Sequence, residues 1–146
     1  MLIKEALGRI LGAHSGVVAI AGGRIYGGKL PQRMEGASII YRLDKSHDMP
    51  TLRNASITVE SIFHLGCVAK DANAYMTAAQ LAHQVRTCLS GFAGTVSDEA
   101  SPESLILIKG IFRMDERDYY DDPTGTHWVT SEWQITHTVD PLVFDT

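Results

Sequence analysis

Cysteine is scarce in this chain of 146 residues, which holds Cys67 and Cys88 and no other. A disulfide scaffold uses more, so both are expected as buried thiols of a reducing compartment. Metal-ligand spacing is missing too. His14, His47, His64, His83, His127 and His137 are widely scattered, and neither H-E-x-x-H nor C-x-x-C occurs, so the sequence offers no zinc site. No G-x-S-x-G or other activated-nucleophile motif is present, which leaves no catalytic apparatus to assign. No apolar run approaches a membrane span, and Lys4, Glu5 and Arg9 interrupt the first apolar residues. Neither a spanning helix nor a signal peptide is expected, and the chain reads as cytosolic in the cell that makes it. Positive charge is not in excess either: the formal net charge is −4, which disfavours a surface that grips nucleic acid, since duplex affinity comes largely from Lys and Arg.

What is present suits one soluble domain over residues 1–146, with residues 138–146 as a C-terminal tail. Hydrophobic residues are 45% and charged residues 21%, so a sizeable core is possible without staples. Leu2, Ile3, Ala6, Leu7, Ile10 and Leu11 repeat at helical spacing and predict a helix from Leu2 to Leu11, ended by Gly12. Ser15 then caps a second short turn through Ala21. Gly23, Gly28 and Lys29 sit at the spacing of a phosphate-binding loop, but Leu30 stands where Ser or Thr is needed and Pro31 follows. That segment reads instead as a glycine-hinged connection around a short strand, Arg24 to Tyr26.

Ala37 to Leu43 alternates as a strand, whereas Asp44 to Asn54 is polar, contains Pro50 and has no period. It is expected as an exposed loop, with His47, Asp48, Met49, Pro50 and Arg53 as its candidate mobile residues. Ala55 to Leu65 gives the clearest alternation, Ile57, Val59, Ser61, Phe63 and Leu65 against Ser56, Thr58, Glu60, Ile62 and His64. After Gly66 the period becomes helical, with Ala74, Ala78, Leu81, Ala82, Val85, Cys88 and Leu89 on one stripe of a helix from Asp71 to Leu89, Asp71 serving as N-cap. Ser90 to Ser104 is expected as a second loop.

The segment from Ser104 to His137 predicts a long β-hairpin, turning at Asp121-Asp122-Pro123-Thr124-Gly125. Its first arm opens with four apolar residues, Leu105 to Ile108, as for a strand covered on both faces at the centre of a sheet. In the second arm Val129, Trp133 and Ile135 point one way and Thr130, Glu132, Gln134 and Thr136 the other. The order of elements suggests an α+β fold, an antiparallel sheet of four to five strands with two main helices packed on one face.

The acids Asp115, Glu116, Asp118, Asp121 and Asp122 lack the order of a calcium loop and read as a solvated hairpin tip. Tyr119 and Tyr120, set among those acids and Arg117, have two readings: anchors of a protein contact, or ring packing back on the sheet. Trp128 falls on the polar face of its strand and would be explained by a neighbouring subunit. Asp115, Glu116, Arg117, Asp118, Tyr119, Tyr120 and Trp128 are therefore the candidate interface. No catalytic, cofactor or metal residue is assigned.

Gly23-Arg24-Ile25-Tyr26 followed by Pro31-Gln32, a strand, a second strand running into an Ala-rich helix, and Gly110-Ile-Phe-Arg-Met-Asp-Glu-Arg-Asp-Tyr-Tyr resemble the tail completion, or tail terminator, proteins of long-tailed bacteriophages and prophages. The resemblance runs from the first helix to about His137, departing at Ala37-Ser38, where a Pro-aromatic pair often begins the strand. It implies a structural protein of the virion, assembled in the host cytoplasm. Such a protein forms a ring with itself, usually sixfold, on the head-proximal end of the tail tube. There it meets the tail tube protein and the head connector, ends tube polymerisation, and lets DNA pass without specific binding; no enzyme activity, cofactor or membrane is implied. Ring closure needs two different adhesive faces on one subunit. The alternative is a small ligand-binding or enzymatic α+β domain with a pocket between the helix Asp71 to Leu89 and the sheet.

Overall fold

The period-two alternation of the central segments builds a six-stranded, mostly antiparallel curled sheet, a half-barrel, with three helices. A computed structural model describes residues 1–32, 36–49, 57–70 and 72–139. The elements are α1 (Ile3–Ala13), α2 (Ser15–Ala21), β1 (Ile25–Gly27), β2 (Ser38–Met49), β3 (Ile57–Ala69), α3 (Ala74–Leu89), β4 (Gly94–Asp98), β5 (Ser101–Asp121) and β6 (Thr126–Val139). The sheet order is β1-β2-β3-β6-β5-β4, with β1 parallel to β2 and every other pair antiparallel.

Six strands and three helices correct the expected four to five strands and two main helices. β4 lies inside the segment read as a loop, where Gly91, Gly94 and Pro102 mask a short alternating strand. β2 continues to Met49, so His47, Asp48 and Met49 are strand and not a mobile loop; Pro50 and Arg53 lie outside the described residues. Their backbone pairs with β3 through Met49↔Thr58, while exposure of the side chains removes the alternation that marks a strand with one buried face.

The hairpin forms as expected, closed by Gly125 at φ 66° with its N–H donating to Asp121 O at 2.8 Å. Its centre is placed differently. β3 and β6 are the inner strands, and β3 is the one buried on both faces; β5 is not, because Leu105 and Leu107 face out, 44% and 40% exposed, between buried Ile106 and Ile108. Gly66 does not end β3, which passes it and reaches Ala69.

All three helices contribute to a single core on one side of the sheet. Ala6, Leu7, Ile10 and Leu11 of α1 and Ala74, Ala78, Leu81, Val85 and Leu89 of α3 meet Phe63, Leu65, Trp133 and Ile135. The small alanines let α3 lie against β3 and β6. α3 begins at Ala74 with Asn73 at the cap position, and Asp71 lies outside the described residues. α2 is capped by His14, whose Nδ1 accepts from Val17 N–H at 3.2 Å, in place of the expected Ser15.

Two β-bulges flank one row of the sheet. Leu43, Phe63, Trp133 and Arg113 stand in register across β2, β3, β6 and β5; Asp44 is the extra residue on one side of that row and Met114 on the other. Bulges bend a strand and increase its twist, which accounts for a curl at this level.

Candidate functional site

Strand parity divides the acidic, aromatic arm of β5 between the two faces of the sheet. Asp115, Arg117 and Tyr119 pair with Glu132, Thr130 and Trp128 on the helix-free face; Glu116, Asp118 and Tyr120 pair with Ser131, Val129 and His127 on the helix-bearing face. Each face holds its own ion pair, Arg117 with Asp115 at 3.3 Å and Arg113 with Glu116 at 3.2 Å. The acids therefore do not converge on one point, and both pairs are solvent-screened.

Tyr119 stacks on Trp128 with the ring planes 1° apart and centroids at 6.0 Å. Burial and the charge of Asp121 hold its phenol above the usual value. Trp128 also covers Gly66, where a Cβ would come within 2.8 Å of the indole, and its Nε1 donates to Thr126 Oγ1 at 2.8 Å. These contacts within the chain account for an aromatic residue on a polar strand face. Tyr120 takes the other side, 4.7 Å from His127, whose ring meets Tyr75 of α3 edge-on at 5.7 Å. The packing reading of the tyrosines is met, since each ring lies on a neighbour in the sheet, and each remains about half exposed, Tyr119 at 50% and Tyr120 at 51%.

The strand register assembles groups that spacing could not. Asp44, His64 and Glu132, from β2, β3 and β6, bring their ligand-type atoms within 4.8 Å of one another on the helix-free face. His64 Nε2 lies 3.6 Å from Asp44 and 3.7 Å from Glu132, beyond hydrogen-bond distance but within ion-pair range. Further along the same face His47 Nε2 meets Glu60 at 3.0 Å. The outward position of His64 and Glu132 was legible in the alternation of their strands; their adjacency was not.

Arg24 has a structural task. Its guanidinium donates from Nε to Ala37 O at 2.8 Å and from Nη2 to Ile20 O at 3.2 Å, tying α2 and β1 to the start of β2. Gly28 continues into residues 29–32 without a helix, so the near-miss phosphate loop lacks the helix N-terminus that binds phosphate.

Between α3 and the sheet there are shallow grooves of about 170 and 270 Å³ beside Ala78, Ala79 and Ala82, facing Asp118 and Val129. A larger cleft, about 830 Å³, lies elsewhere, between the C-terminal turn of α1 and β4, next to Arg9, His14, Cys88 and Val96. Both α3 grooves are smaller than the roughly 300–1,000 Å³ usual for a ligand pocket.

The α+β half-barrel with a split-faced hairpin defines the class by its shape. No protein-family model matches the chain, and no curated protein matches it in sequence. In shape it is similar to a chain of a solved structure described as the virion of a native gene transfer agent particle, with a TM-score of 0.67 and 15% identity over 94% of this chain and 95% of that one. At that identity the likeness establishes the fold.

Proposed function

We propose that this chain is a structural component of a phage-like virion, and specifically a tail terminator that caps the head-proximal end of the tail tube and joins it to the head. The observation that carries the reading is the likeness to a virion chain along nearly the whole length of both, TM-score 0.67. The Arg24-Ile25-Tyr26 and Glu116-Arg117-Asp118-Tyr119-Tyr120 elements support it independently from sequence. The role needs adhesive surface rather than chemistry, and exposed Phe112, Met114, Tyr119 and Tyr120 on one hairpin arm supply it.

Subunits assemble as a closed ring, sixfold symmetry being what the family resemblance implies, with DNA passing through. The test is electron microscopy of purified chain mixed with tail tubes. Rings or capped tube ends are expected; a monomer that leaves tube ends bare and growing sinks the reading. Replacing Tyr119 and Tyr120 together by Ala should keep the fold and weaken capping.

A further inference from the structure

We propose that copies of this chain join head to tail by strand addition, the open edge of β2 in one copy pairing antiparallel with the open edge of β5 in the next. The proposal rests on the ring reading and names the contact that closes it.

Both outer strands of the sheet are short and leave the strand beneath them half covered. β1 spans Ile25–Gly27 and pairs with Ile39 to Tyr41, so among the described residues Arg42–Met49 of β2 has no neighbour on its outer side. β4 pairs with β5 no further than Ile108, and Gly91 N–H reaches Ile111 O, so Phe112–Asp121 is likewise open. Unpaired backbone groups along an edge are a template for another strand. β5 runs antiparallel to β2, because the path β2-β3-β6-β5 reverses direction three times. Adding one edge to the other therefore gives an antiparallel ladder, and the two surfaces differ, as a head-to-tail contact requires.

The register follows from geometry. The open part of β2 stands level with β6 residues 132–138 and that of β5 with residues 126–134, so without a shift they share only levels 132–134, and pairing along their length needs one copy shifted along the strands. The shift must be even to keep each side chain on its own face. A shift of four residues sets Met49 opposite Phe112, His47 opposite Asp115 and Arg42 opposite Tyr119. Each pair lies on the helix-free face: an apolar contact, a histidine on a carboxylate, and a cation on an aromatic ring. Four residues amount to about 14 Å along strands, against roughly 19 Å across the four strands that each copy adds. The resulting strand tilt is about 35°, at the edge of the range that closed barrels use.

The experiment mixes full-length Met49→Cys and Phe112→Cys chains with tail tubes under mild oxidation. Native Cys67 and Cys88 are buried or half-buried and give little background. A disulfide-linked heterodimer is expected from the mixture and not from either variant alone. Hydrogen exchange on the natural chain supplies a register-free readout: amides of residues 42–49 and 112–121 should slow at least tenfold on assembly. Capped tubes without the bridge and without slowed exchange in both segments overturn strand addition while leaving the terminator reading intact. Bare tube ends and unassembled chain overturn both.

Discussion

Trp128 and Trp133 point to opposite faces of β6, yet each indole Nε1 donates to the hydroxyl two residues before it, Thr126 Oγ1 and Ser131 Oγ, both at 2.8 Å. Residues two apart on a strand share a face, so one local device satisfies both rings. Trp133 is sealed in the core, whereas Trp128 stays half buried beneath Tyr119.

The stack gives a stability prediction. Tyr119→Ala should cost about 1 kcal/mol, the scale of an aromatic pair. Trp128→Ala should cost more, roughly 2–3 kcal/mol, because it also uncovers Gly66. Urea unfolding of both single variants and the double variant checks this; strictly additive losses would show that the rings do not couple.

Gly66 is held small by its neighbours. A methyl group there would lie 2.8 Å from the Trp128 ring and 3.1 Å from Ile40 Cγ2, so Gly66→Ala should destabilise by roughly 1–3 kcal/mol and shift the tryptophan emission. Adding Trp128→Leu should recover part of the loss. If Gly66→Ala alone left midpoint and emission unchanged, the indole would not occupy the place described.

His137 makes stability depend on pH. Burial pushes its pKa down, and the hydrogen bond to Thr138 O at 3.0 Å opposes that more weakly. With Nδ1–H donating to that carbonyl, Nε2 accepts from Ser61 Oγ at 2.7 Å, an arrangement that needs the neutral ring. The unfolded chain takes up the proton near the ordinary value of about 6.5, above the folded value. Stability should therefore be full above about pH 6.5 and fall as the pH drops through the folded pKa. Unfolding midpoints across that window, compared with His137→Gln, read the contribution. An equal slope in the variant would assign the dependence to other groups.

The cysteines should resist modification in the folded chain. Burial, assisted by Glu116, pushes Cys67 up to about 12, and burial pushes Cys88 up to about 11, where its Sγ–H donates to Ile10 O at 3.6 Å. For Cys88 this leaves about a hundredfold less thiolate at a given pH, and for Cys67 less still. Labelling at pH 8 should proceed at the rate of unfolding for Cys67 and slowly for Cys88; rapid release of two thiols from folded protein would contradict both burials.

Much of the architecture was legible because period governs it. The hairpin turn, the alternation of β3 and β6 and the stripe of α3 all appear in the sequence as they appear in the fold. What escaped has a common cause, namely that pattern reports burial and not pairing. Asp44 to Met49 has no apolar face, so nothing local marks it as strand; only β3 holds it there. Leu105 and Leu107 looked buried because they are apolar, yet they line an uncovered face. Among the candidate interface residues, parity foretells that Tyr119 and Tyr120 part company, but their partners Trp128 and His127 depend on register set by the turn. Asp44, His64 and Glu132 meet through three strands, and no spacing in one dimension encodes that.

The two bulges leave the bend of the sheet in the hands of single residues. Removing Asp44 or Met114 would make the ladder regular at that level without moving Leu43, Lys45, Arg113 or Asp115 to the opposite face. Phe63 and Trp133, in the row between the bulges, belong to the buried core and need not change. The calibre of anything built from this sheet can thus be adjusted in its outer strands by one-residue insertions or deletions, while the packed interior is inherited unaltered.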